Sequence, residues 1–234
     1  MENRSQLPLI LGAFFAIYVI WGSTYLLNKI AVTQLAPFML AGFRFLVAGI
    51  LIFSIALAMG KPLRITKRQF YNVTLAGFLF LSFGNGTVVW ALKYVDSNFA
   101  ALEISAQPLV ILLMMWLLQG KKIQPMSLVG VALGILGIYL LINQNTVVQQ
   151  ENSLLGIAMI FSAMLAWGYG SLFVGKADLP SNYFVNTGYQ MITGGVILCF
   201  MSLAFGEKWL PLRYWEVDTS WAMVLLIVFG SIVA

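Results

Sequence analysis

Two ionisable residues, Glu103 and Arg44, are the only acid and the only base inside the long apolar runs of this chain. Arg44 lies seven residues past Pro37 and Glu103 six past Ser97, which in a helix is a depth of roughly 9–10 Å. An ionised group costs about 2.5 kcal/mol or more at a bilayer centre, so such residues face an interior or water and usually pair. One reading makes Glu103 a substrate- or proton-binding carboxylate balanced by Arg44. The other makes the two a structural ion pair, or has Arg44 capping backbone carbonyls. Gly84-Asn85-Gly86 interrupts another apolar run, where glycine loosens the helix and the Asn85 amide could hydrogen-bond a solute; close helix packing is the competing explanation. Pro108 removes a helix hydrogen bond and crowds the carbonyl of Ile104, so a kink is expected beside Glu103. Gln107 adjoins that kink as a further candidate for substrate binding. Trp21, Tyr25, Trp90, Trp167 and Tyr169 are aromatic candidates for a cavity wall, against the default of interfacial belts. Gly130 and Gly134 read as a packing face.

The remaining chemistry is excluded by what is missing. The chain has no histidine and a single cysteine, which removes Ser-His catalysis, His relays and thiolate metal clusters. No Gly-Lys-Ser/Thr phosphate loop is present. Only one acid lies at depth, so paired-acid proteolysis is unsupported. The expectation is therefore no catalytic residue, no metal and no cofactor. Cys199 reads as a small packing residue.

The elements that must position these residues are membrane helices. Apolar residues make up 61% of 234 and charged residues 9%, with mean hydropathy +0.91, against roughly half and a quarter in soluble domains. Eight runs meet the length of a span: Leu7–Asn28, Ala36–Gly60, Phe70–Leu92, Ser97–Gln119, Pro125–Ile142, Ser153–Gly175, Tyr183–Phe205, and Thr219 onward. Six carry no charge, and the alternation of a membrane barrel is absent. The fold class is all-α integral membrane, a polytopic helical bundle. The net charge of +5 is a topology signal and not a nucleic-acid surface. Seven basic residues flank the first five spans on the side of the N-terminus (Arg4, Lys61, Arg64, Lys67, Arg68, Lys121, Lys122) against Lys29 and Lys93 opposite. That bias puts the N-terminus in the cytoplasm. Leu7–Asn28 is too long for a signal-peptide core and lacks a cleavage pattern, so it reads as a retained helix.

The chain repeats itself at an offset of 146. Trp21-Gly22 matches Trp167-Gly168, Gly42 matches Gly188, Gly49 matches Gly195, Gly60 matches Gly206, and Phe83-Gly84 matches Phe229-Gly230. Between 21–88 and 167–234, 14 of 68 positions are identical, against roughly 5 or 6 by chance. Five spans is an odd number, so a second unit enters the membrane inverted, an arrangement typical of secondary transporters. The expectation is one five-helix repeat at 1–145, the polar stretch Asn143–Asn152 as linker, and a second repeat at 146–234. Ten helices would complete the pattern and about eight are present. The second repeat is expected to be incomplete, and residues 1–234 alone to be inactive.

With these residues in hand, the sequence resembles the EamA family of the drug/metabolite transporter superfamily. The resemblance rests on Trp21-Gly22-Ser23-Thr24-Tyr25, Arg44-Phe45-Leu46, Gly84-Asn85-Gly86, Ala100-Ala101 followed by Pro108-Leu109, and Gly130, Gly134 and Gly137. It implies two inverted five-helix repeats with both termini cytoplasmic, and export or exchange of small amphiphilic metabolites such as amino acids. Two departures stand out. Gln119-Gly120 precede Lys121-Lys122 where many members have an acid, and Glu103 occupies a stretch that is often wholly apolar.

The function expected is a secondary transporter of the bacterial cytoplasmic membrane, exporting amino-acid-like or drug-like compounds by alternating access between the repeats. Its partners are a small-molecule substrate, the lipid bilayer, and a proton or counter-substrate. A channel or structural membrane protein is the alternative, and a membrane enzyme is disfavoured by the missing histidine.

Overall fold

The computed structural model describes residues 7–142 and 151–233. Arg4, the repeat boundary at 145–146 and most of the expected linker fall outside them. Helix α1 comprises Leu7–Phe15, a π-helical stretch Ala16–Trp21 and Gly22–Val32. Then come α2 (Pro37–Ala58), α3 (Lys67–Ala91, π-helical over Phe78–Asn85), and α4 (Ser97–Gln119). They are followed by α5 (Pro125–Ile142), α6 (Ser153–Val174), α7 (Tyr183–Ala204) and α8 (Val217–Val233, π-helical from Val228). The described residues contain no strand. Helices α2, α3, α4, α6 and α7 are long and apolar enough to cross a membrane, and α8 is a shorter apolar helix. Ile50, Phe200, Leu203 and Trp221 are exposed on the outside, while Asn28, Arg44 and Glu103 are buried within. That arrangement suits a hydrocarbon solvent.

Helix boundaries depart from the sequence expectation where polar groups find partners. Helix α1 runs on to Val32 because Lys29 turns its ammonium onto the loop that follows α3, donating to Leu92 O at 2.7 Å and Val95 O at 2.9 Å. Helix α3 starts at Lys67 rather than Phe70 because Thr66 and Gln69 cap each other's backbone N–H at 3.1 Å. In α4 the kink expected at Pro108 is a break. The helix ends at Ile104, Ala106 leaves helical geometry (ψ 0°), and a new segment starts at Gln107. Proline has no N–H for the Ile104 carbonyl, so tighter bonds such as Ala106 N to Glu103 O take over.

The most extensive packing is α2 on α7, two helices whose ends differ by 146 at both termini. Their contacts are reciprocal under that offset. A Cβ at Gly42 would stand 3.0 Å from Cys199 Sγ, and one at Gly188 would meet the Phe53 ring. Likewise Gly49 lies on Ile192, and Gly195 on Leu46. Small residues let the two backbones approach closely where no hydrophobic driving force exists between helices. Both helices end alike. Gly60 (φ +67°) and Gly206 (φ +69°) adopt the left-handed conformation. Lys61 N bonds Ala56 O, and Glu207 N bonds Ser202 O, both at 2.9 Å.

The starts of the two helices differ. Asn182 caps α7 itself, accepting from Val185 N at 3.1 Å. The corresponding Ala36 has no side-chain cap to offer α2. Glu207, from the loop after α7, fills that role by accepting from Phe38 N at 3.1 Å and Met39 N at 2.9 Å. Ser202 Oγ donates to the same carboxylate at 2.7 Å and receives a bond from Trp209 Nε1 at 2.9 Å. Glu207→Ala is therefore expected to cost about 1–2 kcal/mol, read as a lower melting temperature in detergent. Glu207→Gln, which keeps an acceptor oxygen, should lose less. Unchanged melting of Glu207→Ala would show that the cap contributes nothing.

Candidate functional site

Among the described residues, four buried side-chain atoms have no hydrogen-bond partner: Asn28 Oδ1, Arg44 Nη1, Asn85 Oδ1 and Glu103 Oε2. They sit on four different helices at one level. Asn28 is four residues before the end of α1, Arg44 seven after the start of α2, Asn85 six before the end of α3, and Glu103 six after the start of α4. At about 1.5 Å per residue, each lies roughly 6–11 Å from the same face of the bundle. The Gly22–Val32 part of α1 packs against α2, the last turns of α3, the first turns of α4, and α8. The helix carrying Asn28 is thus in contact with those carrying the other three.

The guanidinium of Arg44 is held by α8. Its Nε donates to Ser231 Oγ at 2.8 Å and its Nη2 to Gly230 O at 2.6 Å, and it lies 4.9 Å from the Phe45 ring centroid. The π-helical geometry of Val228–Val233 sets the Gly230 carbonyl where Arg44 takes it. Of the sequence alternatives, carbonyl capping by Arg44 is therefore the arrangement found, and the expected Glu103 partnership is not. Glu103 is 4% exposed. Asn28 Nδ2 donates to Thr24 O at 2.8 Å, which leaves its oxygen free.

A second group forms around α6. Trp167 Nε1 donates to Phe80 O at 2.9 Å, a carbonyl of the π-helical stretch in α3. Its ring meets that of Trp21 edge to face, with centroids 5.9 Å apart. These two tryptophans are related by the 146 offset, and they touch each other. Gly84 is required here, because a side chain in its place would collide with the Trp167 indole. The helix does not stop at Gly84-Asn85-Gly86: the interruption is a widened turn ending at Asn85, and Gly86 is helical (φ −58°, ψ −42°). Gly86 packs on Leu198. Gln107 Nε2 donates to Met164 O at 3.1 Å, one turn from Trp167.

The other candidates are spread out. Tyr25 is partly buried beside the core. Trp90 joins Phe38 and Phe205 in an aromatic triplet, with centroids 5.3–5.4 Å apart, at the face bearing Lys93 and Lys208. Tyr169 is exposed on the outer surface of α6, away from the Trp21–Trp167 pair. Gly134 receives Leu109 of α4, but Gly130 meets nothing within 4 Å. The packing role expected of Gly130 is therefore not seen, because no described helix covers that face of α5. Sequence reasoning missed Asn28, Thr24, Gly230 and Ser231. The available signal for Asn28 was an amide in an otherwise uncharged span.

Residues 8–143 match the EamA-like transporter family. Over 235 aligned residues, all of this chain and 74% of the relative, 36% are identical to the "Uncharacterized inner membrane transporter YedA" of Escherichia coli (strain K12). The chain belongs to the EamA-like transporter family. Two more distant relatives fit that family. One is the "Uncharacterized transporter YoaV" of Bacillus subtilis, 18% identical over 92% of this chain and 73% of its own length. The other is the "Probable amino-acid metabolite efflux pump" of Escherichia coli, 28% identical over 67% of this chain and 50% of its own length. A solved crystal structure shares the fold, with TM-score 0.63 at 19% identity over 93% of this chain and 73% of its own. This EamA-like chain is thus a multi-pass transporter of the cytoplasmic membrane, with a small molecule as its cargo, and not an enzyme.

Proposed function

We propose that this transporter exports small metabolites or amphiphilic compounds, amino-acid-like or drug-like, by alternating access through the space between two inverted repeats, 1–145 and 146–234. The layer of unpartnered polar atoms on α1 to α4 carries the reading. An orphaned buried polar group costs about 1–3 kcal/mol, and more if charged. Three acceptors and one donor at one level suit a polar solute that brings several N–H or O–H groups and one acceptor. Glu103 is the group that would bind a proton or a cationic part of the cargo, with Arg44 and Asn85 at a similar depth on the neighbouring helices. Trp21, Tyr25, Gln107 and Trp167 would line the path. The reciprocal α2–α7 contacts favour the repeat reading, as does the meeting of Trp21 with its counterpart Trp167. The efflux name of one relative favours export.

Saturable counterflow of labelled amino acids and cationic drugs in proteoliposomes of the full-length protein is the test. Flux without saturation or counterflow would point to a channel. The orientation is proposed from the basic residues around the first five spans. A reporter fused after Arg64 should be active on the cytoplasmic side, and one fused after Gln149 on the periplasmic side. The reverse pattern would invert the topology.

A further inference from the structure

We propose that the groove between the ends of α2, α3 and α7 binds the headgroup of an anionic phospholipid, such as phosphatidylglycerol. This groove has a volume of about 750 Å³ and lies far from the polar layer described above. Its wall is apolar and aromatic, made by Leu57, Leu63, Phe70 and Tyr189, and its cations are Arg64 and Lys67. Leu57 belongs to the last turn of α2 and Phe70 to the first turn of α3. The groove therefore opens at the level where acyl chain meets headgroup.

The frame of the groove is built. Tyr189 Oη donates to Leu63 O at 2.9 Å, fixing the connecting loop to α7. The Tyr189 ring sits edge-on to Phe53 at 4.9 Å and to Phe70 at 6.2 Å. The Thr66–Gln69 capping box fixes the start of α3 directly behind Lys67. Arg64 and Lys67 are exposed, and Lys61 and Arg68 bring the cations of this loop to four within eight residues. The acid that approaches is Asp178, and its carboxylate accepts from Gln69 Nε2 at 3.2 Å. Cations beside an apolar wall at helix ends recognise a lipid phosphate by charge, while the wall takes the start of an acyl chain. The charge complementarity selects an anionic lipid over a zwitterionic one. This assignment is independent of the cargo and of which leaflet the groove faces.

The test is native mass spectrometry of the detergent-solubilised protein with dioleoylphosphatidylglycerol or dioleoylphosphatidylcholine, paired with melting curves. The expected result is a preference of about 10-fold or more for phosphatidylglycerol. Arg64→Gln/Lys67→Gln should abolish the preference without changing the lipid-free melting temperature. Lys121→Gln/Lys122→Gln removes the same charge outside the groove and should leave the preference intact. Equal losses in the two double variants would overturn the assignment in favour of diffuse electrostatics. Displacement of the lipid by millimolar inorganic phosphate would overturn it in favour of a soluble anion site. No preference in the parent protein would end it.

Discussion

In the full-length protein, Glu103→Gln is expected to reduce transport by about 10-fold or more, while the protein still inserts and melts near the parent temperature. Glutamine keeps the shape of the side chain and removes its capacity for negative charge. A hydrogen bond to a charged group contributes about 1.5–3 kcal/mol, which corresponds to the fold-change expected if cargo or proton uses Glu103. The geometry also separates this reading from a structural one. Were Glu103 the counter-ion of Arg44, Glu103→Gln would strand the guanidinium, and adding Arg44→Leu would restore stability. Arg44 is instead held by Ser231 and Gly230, so the double variant should show additive losses without rescue. The deciding measurement is initial transport rate per unit of folded protein, with and without Arg44→Leu. Parent-level transport by Glu103→Gln with an unchanged pH profile would remove Glu103 from the mechanism.

The second large effect is expected at the α2–α7 interface. Leucine at Gly195 would drive its side chain into Leu46, and leucine at Gly49 into Ile192. Overpacking costs typically about 1–3 kcal/mol, and here the obstacles include backbone atoms of the facing helix at 3.0–3.1 Å. Both variants should lose most of their folded protein in detergent. Because the two glycines occupy reciprocal places, the losses should be similar. A severe loss at one glycine and none at the other would show that the two helices do not share the load evenly. Gly130→Leu, at a place that meets nothing within 4 Å, is the control and should be tolerated.

Much of this was legible in the sequence, for identifiable reasons. A membrane helix must satisfy its own backbone, so apolar length and charge spacing locate the passes to within a few residues. The Pro108 break follows from one missing N–H. The packing of Gly42 on Cys199 and of Gly188 on Phe53 was foreshadowed by glycines at matching offsets. Contacts between distant segments were not legible. Nothing in the neighbourhood of Arg44 announces Ser231 as its partner, and nothing near Ala36 announces that a carboxylate at 207 would cap the helix. The π-helical turns of α3 and α8 were also hidden. A widened turn changes which carbonyls face inward without changing hydrophobic periodicity enough to be read.

The reach of those long-range bonds bears on how the chain is made. Glu207 stands 168 and 169 residues beyond the two N–H groups it caps, and Ser231 is 187 residues beyond Arg44. At about 5–20 residues per second, a ribosome needs roughly 10–40 s to cover such separations. For that interval α2 must reside in or beside the insertion machinery with its first turn uncapped and its guanidinium without α8. Until α7 and α8 are made, these polar groups need another partner, and water in the insertion channel can supply it. Assembly of α2 therefore waits on α7 and α8, and a ribosome stalled before residue 207 leaves the first turn of α2 without its cap.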